Sequence, residues 1–320
     1  MKVGVAGCGR WGSLIAWYLD RNGHAVTLYG RASSAGMQRF IKERKNDLLT
    51  LPESIELSTD VSFALDCEVV VIAIASQSLR AFLSQLADLN LRDKTVVLCM
   101  KGIEVETTKR LSEIVEEILD PSCKVAVWLG PGHVQEFYSG IPNCMVIDSK
   151  DEDVKTLLVD EFSSELIRFY YGTDIIGNEI GAAAKNVIGI AAGILDGGNM
   201  PSLKGPLMAR GAREVARLIH AMGGNELSAY GLCHLGDYET TLFSPHSNNR
   251  RYGEAIAKGE DFTKLAEGVY TSKAMKLLGE KYGVDLPITN AVYRVVYEGK
   301  NPFTELFGLF DRKTVTEFLL

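Results

Sequence analysis

Residues 2–6, Lys-Val-Gly-Val-Ala, read as a short buried strand, and the chain then turns through Gly7-Cys8-Gly9-Arg10-Trp11-Gly12 into a helix. Leu14, Ile15, Tyr18 and Leu19 share one face of that helix, which stops at Asn22-Gly23, and a second strand runs from Ala25 to Tyr29. Three glycines at this spacing, between a strand and a helix, restrict the chain to a βαβ unit whose first turn receives a dinucleotide. Gly7 permits the turn, Gly9 lets the backbone approach a pyrophosphate, and Gly12 lets the helix pack closely on the strand. The pyrophosphate sits on N–H groups at the helix start. An acidic residue after the second strand would bind a ribose 2′-hydroxyl. This chain has Arg31 there, which suits a 2′-phosphate, so NADP(H) is preferred and NAD(H) is the second choice.

A chain of 320 residues is long enough for two domains, each with its own core. The net charge of -7 argues against a general nucleic-acid binder, and leaves room for an anionic small ligand held by a few local cations. Six cysteines are scattered without a C-x-x-C pair, which fits reduced thiols in a cytoplasmic protein. Gly7, Gly9 and Arg10 interrupt the N-terminus before a signal-peptide core forms. The runs Val69–Ala75 and Val187–Leu195 stop too soon to span a bilayer, so no membrane insertion is expected.

Strand-like and helical stretches keep alternating up to about Tyr171. Val69–Ile74, Thr95–Cys99, Lys124–Leu129, Cys144–Ile147 and Ile167–Tyr171 read as strands, with helical spacing near 78–86, 111–119 and 151–165. Beyond Gly172-Thr173-Asp174 the signal is almost wholly helical. The fold class that follows is a Rossmann-type, doubly wound, mostly parallel α/β sheet domain over 1–174, followed by an all-α domain over 175–320. Lys101 and the turn Gly130-Pro131-Gly132 fall at carboxyl ends of strands, where open α/β sheets bind ligands.

Lys185 lies in a segment, residues 181–190, otherwise almost free of charge. Buried lysine has a lowered pKa and can exchange a proton with an alcohol or carbonyl oxygen; a lysine on the solvent face of the helix is the equal alternative. The five histidines show no metal-ligand spacing, and no metal is expected.

Several separated segments, in order, resemble the NAD(P)-dependent glycerol-3-phosphate dehydrogenase family over nearly the whole chain. They are 7–12, Met100-Lys101-Gly102, Leu129-Gly130-Pro131, 181–188 (Gly-Ala-Ala-Ala-Lys-Asn-Val-Ile), Leu235-Gly236-Asp237, 247–253, Glu267-Gly268 and 286–289. The resemblance implies reversible reduction of dihydroxyacetone phosphate to sn-glycerol 3-phosphate for glycerophospholipid synthesis. It implies Lys185 as acid/base, with Lys101 and Asp237 positioning the substrate. It places cofactor contacts at Gly7, Gly9, Arg10, Trp11, Gly12, Arg31, Lys101, Val134, Asn248, Leu265 and Glu267. Substrate contacts fall at Lys101, Gly130, Gly132, Lys185, Asp237, Ser247, Asn248 and Asn249. A phosphorylated small molecule is the expected partner, and a homodimer is compatible with the chain.

Two positions depart from the family pattern. Where the family usually reads Ser-Arg-Asn, with the arginine gripping phosphate, this chain has Asn248, and Arg250 or Arg251 is left to compensate. Gly132 stands where Ser or Thr is usual. Both changes touch substrate recognition rather than redox chemistry. The other readings are a dehydrogenase of the same fold acting on another hydroxy or keto compound, and a catalytically silent NADPH-binding sensor.

Overall fold

The β-branched runs become strands of one eight-stranded sheet in a computed structural model that describes residues 1–314, Thr316 and Glu317. The strands are β1 (Lys2–Ala6), β2 (Ala25–Tyr29), β3 (Glu56–Ser58), β4 (Val69–Ile72), β5 (Thr95–Leu98), β6 (Lys124–Leu129), β7 (Asn143–Ser149) and β8 (Ile167–Tyr171). Their spatial order is β3-β2-β1-β4-β5-β6-β7-β8. Every neighbouring pair is parallel except β6–β7, which is antiparallel. Order reverses at β1, as in a doubly wound sheet, and the turn after β1 therefore opens at the switch point. The all-apolar β4 (Val-Val-Val-Ile) is buried at every residue, as a parallel strand covered on both faces must be.

Six helices belong to the same compact unit: α1 (Arg10–Arg21), α2 (Ala35–Glu43), α3 (Leu79–Asp88), α4 (Leu111–Ile118), α5 (Val134–Tyr138) and α6 (Glu152–Phe162). Trp128 on β6 sits at the centre of the core, with Phe169 4.9 Å and Tyr18 5.9 Å away, ring centroid to centroid. The buried Tyr18 hydroxyl donates to the carbonyl of Phe162, so this polar tip carries no unpaired penalty.

The second unit holds α7 (Ile175–Gly197), α8 (Lys204–Ala221), α9 (Asn248–Lys258), α10 (Glu267–Tyr282), α11 (Pro287–Glu298) and α12 (Pro302–Phe307). Helix α7 is its axis: Ile180, Ala183, Ala184, Val187, Ile188, Ala191 and Ile194 are fully buried in one apolar cluster. Glycines set the approach of α9, because a Cβ on Gly193 would lie 1.9 Å from the Arg250 carbonyl and one on Gly253 2.0 Å from the Ile190 carbonyl. By length and composition α7 could cross a membrane, contrary to the expectation that its apolar run stops too soon. Its best window is 89% buried within the protein, the state of a core helix.

The compact units divide the chain differently from a single cut at 174/175. One comprises Met1–Met100 with Leu111–Ile175, and the other Lys101–Arg110 with Ile176 onward. The short segment 101–110 closes on itself through an Ile103–Arg110 bridge, and Ile103 is fully buried in the helical core. Arg110 holds Glu179 of α7 at 2.6 Å, with both side chains buried. The physical reason is Ile103, which buries its side chain in the helical core and carries Lys101 with it.

Candidate active site

Two clusters of the expected residues form, one in each unit. In the first, β1 runs into Gly7 at φ +117, and a Cβ there would strike the Ala73 carbonyl at 2.4 Å. A Cβ on Gly12 would lie 1.9 Å from the Gly7 carbonyl, so only glycine lets α1 start so close to the strand. Gly9 is the N-cap of α1, and a Cβ built on it would meet nothing within 4 Å. No side chain caps this helix start, and no acidic residue lies in its first turn. The loop thus presents open space in front of N–H groups at the positive end of a helix, which is what a pyrophosphate requires. Arg10 and Trp11 occupy that first turn; Arg10 Nη2 donates to Gln135 at 3.4 Å, and Trp11 packs against Phe137 at 6.0 Å. Arg31, two residues past β2, is exposed and makes no ion pair among the described residues. Gly130 and Gly132 shape the turn between β6 and α5, where Phe137 fills the space beside Gly132, and Val134 is buried at the first position of α5.

The second cluster is built around Asp237. A one-turn helix, Leu235–Asp237, and the π-type turn Glu239–Phe243 present it to α7. Asp237 is completely buried, and its Oδ2 receives Lys101 Nζ at 2.6 Å and Lys185 Nζ at 2.7 Å. Thr240 donates to its other oxygen. Lys185 is 7% exposed, which decides between its two readings: it is the buried lysine, not a solvated one. It also donates to Thr241 Oγ1 at 2.7 Å. An ammonium has three N–H donors, so Asp237 and Thr241 use two and one remains for a substrate oxygen.

Burial pulls the Lys185 ammonium down to about 8; Asp237 resists that fall and Lys101 adds to it. Burial also works to raise the Asp237 carboxyl, but Lys101 and Lys185 outweigh it and its net shift is downward. The lysine is therefore charged at neutral pH and still able to release its proton close to it. A lysine poised in this way can both give and take a proton near neutral pH.

An asparagine relay fixes the surroundings. Gly268 N–H donates to Asn249 Oδ1, Asn249 Nδ2 to Asn186 Oδ1, and Asn186 Nδ2 to the Lys101 carbonyl, each at 2.9 Å. Glu267 begins α10 beside this relay. Ser247 caps α9, accepting from Arg250 N at 3.3 Å. Asn248 Nδ2 donates to the carbonyl of Leu265, 3.0 Å away. Arg250 is committed elsewhere: its Nε meets Asp196 Oδ2 at 2.5 Å, and Asp196 also holds Lys204. Of the two arginines left to replace the missing phosphate grip, exposed Arg251, over Phe262 at 5.7 Å, pairs with no carboxylate among the described residues. Thr241 and Asn186 were not among the candidate site residues. The spacing Asp237–Thr241 (i, i+4), which puts both on one helical face, is the signal that could have found Thr241.

Sequence profiles of the NAD-dependent glycerol-3-phosphate dehydrogenase N-terminus and C-terminus match residues 2–155 and 174–306. The chain belongs to this dehydrogenase family. It is 38% identical to the glycerol-3-phosphate dehydrogenase [NAD(P)+] of Prosthecochloris aestuarii, with 98% of each chain covered. A Thermoanaerobacter relative of the same description is 36% identical, covering 98% of this chain and 97% of its own. The crystal structure of glycerol-3-phosphate dehydrogenase from Coxiella burnetii superposes with a TM-score of 0.92 at 26% identity, over 97% of this chain and 99% of that one. In this dehydrogenase the two matched regions include the glycine loop and the lysine segment, one in each.

Proposed function

We propose that the chain reduces dihydroxyacetone phosphate to sn-glycerol 3-phosphate with NADPH, reversibly, in the cytoplasm, for glycerophospholipid synthesis. Residues 1–174 hold the nucleotide, apart from 101–110, which work with the helical domain 175–320. The observation that carries this reading is the buried Lys185, held by Asp237 and Thr241 and poised at about 8. Bound NADPH supplies the hydride. The oxygen at C2 of the ketone would take its proton from Lys185 Nζ as the carbonyl is reduced. The product is a secondary alcohol and Lys185 is left neutral. Lys101 supplies positive charge where oxyanion character develops. Asp237 keeps Lys185 charged until the proton moves, and in oxidation the same lysine accepts the proton.

Steady-state rates with dihydroxyacetone phosphate against NADPH and NADH in parallel test the reading; no turnover with either would end it. The cofactor preference rests on exposed Arg31. Arg31→Asp is expected to weaken NADPH binding about tenfold or more while NADH changes far less, because one charge-assisted pair to a 2′-phosphate is lost. Equal effects in fluorescence titrations would refute a 2′-phosphate contact.

A second reading keeps the chemistry and changes the substrate. It is favoured by Asn248 and by the commitment of Arg250 to Asp196. Asn248→Arg is expected to lower KM for dihydroxyacetone phosphate about tenfold, since a guanidinium adds the bidentate fork an amide lacks. If unphosphorylated ketones are reduced as efficiently by the native enzyme, this second reading replaces the first.

A further inference from the structure

His234 and Tyr238 flank Asp237, and both are completely buried. His234 Nδ1 lies 2.8 Å from the carbonyl oxygen of Gly181, which can only accept, so Nδ1 carries the ring proton. Nε2 then presents a lone pair, and the Tyr238 hydroxyl, 2.7 Å away, donates to it. Gly181 sits on α7 one helical turn before Lys185. The ring can lie against α7 because that residue is glycine: a Cβ there would come within 2.9 Å of His234 Cβ. On the other side, the main chain of this pair holds the partners of Lys185. Asp237 N donates to the His234 carbonyl at 3.0 Å, and the Tyr238 carbonyl accepts from Thr241 N at 3.1 Å and Leu242 N at 2.7 Å.

We propose that His234 and Tyr238 form a positioning pair that ties the Asp237–Thr241 turn to α7 and so keeps both residues in register with Lys185. The inference rests on the reading of Lys185 as proton donor. Both rings are completely buried and act through the residues they hold. Asp237 and Lys185 are the charged groups facing His234, and Glu214 faces Tyr238. Burial pulls the imidazole down to about 4, so it stays neutral through the working range and its hydrogen bonds keep one sense.

Tyr238→Phe keeps the ring and removes the donor. The expected result is a fall in kcat of about tenfold with KM for dihydroxyacetone phosphate nearly unchanged. The alkaline limb of the reduction profile should also move to lower pH by about half a unit, because a displaced Asp237 supports the Lys185 charge less well. His234→Leu should reproduce this, and His234→Gln, which offers both a donor and an acceptor, should recover most of it. Nitrogen-15 NMR of the native ring should show the Nδ1–H tautomer without substrate. The inference is overturned if Tyr238→Phe leaves kcat and the alkaline limb unchanged, even with a lower melting temperature, or if the Leu and Gln variants behave alike. Absence of an alkaline limb near pH 8 in the native enzyme would remove the Lys185 reading itself, a distinct failure.

Discussion

Lys185→Ala is expected to lower kcat for dihydroxyacetone phosphate reduction by about a thousandfold, while NADPH binding stays within about twofold of the native value. On the proposed mechanism alanine removes the proton that reaches the ketone oxygen, and the glycine loop proposed to bind nucleotide belongs to a different part of the chain. Lys185→Arg should fail as well, since a guanidinium does not give up its proton at working pH. The native pH profile carries the same information. Reduction needs the ammonium, so its rate should fall as pH rises through about 8; oxidation needs the free amine and should rise through the same range. NADPH absorbance assays in both directions check this. A Lys185→Ala enzyme within tenfold of native turnover would falsify the acid/base assignment.

The glycine loop was legible because its requirements are local: Gly7 and Gly12 answer to backbone atoms of the same βα turn and the adjoining strand. The apolar strands β4, β5 and β6 were legible because burial on both faces leaves a continuous apolar run. By contrast β3, one exposed and two half-exposed residues at the sheet edge, carries no such pattern. Lys185 was undecided from its neighbours because α7 is apolar on all sides and has no stripe to mark a solvent face. Its partners come from the Asp237–Thr241 turn, distant in sequence. The same holds for Lys101. Its place at the end of β5 suggests the sheet domain, yet Ile103 and the Arg110–Glu179 pair carry the segment into the helical unit. The gap between β5 and α4, long for a βα connection, was the available signal. The Asp196–Arg250 pair, across which the phosphate question turns, joins residues with no local relation, and no spacing rule reveals it.

Asp237→Asn is expected to cut kcat by about a hundredfold and to shift the alkaline limb of reduction to lower pH by at least about one unit. The carboxylate lies 2.6 Å from Lys101 and 2.7 Å from Lys185, and an amide of the same shape removes the charge without opening a cavity. Attraction between unit charges this close is on the order of several kcal/mol even at an effective dielectric near 20. Without it, two ammonium groups face each other in a buried site, and Lys185 yields its proton below 8. At neutral pH less of the acid form is then present, and reduction suffers more than oxidation. Stability should follow with a definite sign. The Asp237 carboxyl is held below its ordinary value, so it contributes stability above the unfolded carboxylate range and loses it as pH falls through the lowered folded value. The native protein should therefore be more stable than Asp237→Asn at pH 7, by about 3 kcal/mol less whatever Lys185 regains by deprotonating, and the gap should narrow in acid. Thermal unfolding at pH 7 and at successive acid steps measures that gap. A gap independent of pH would show that Asp237 acts through shape rather than charge, and an unmoved alkaline limb would separate it from the chemistry of Lys185.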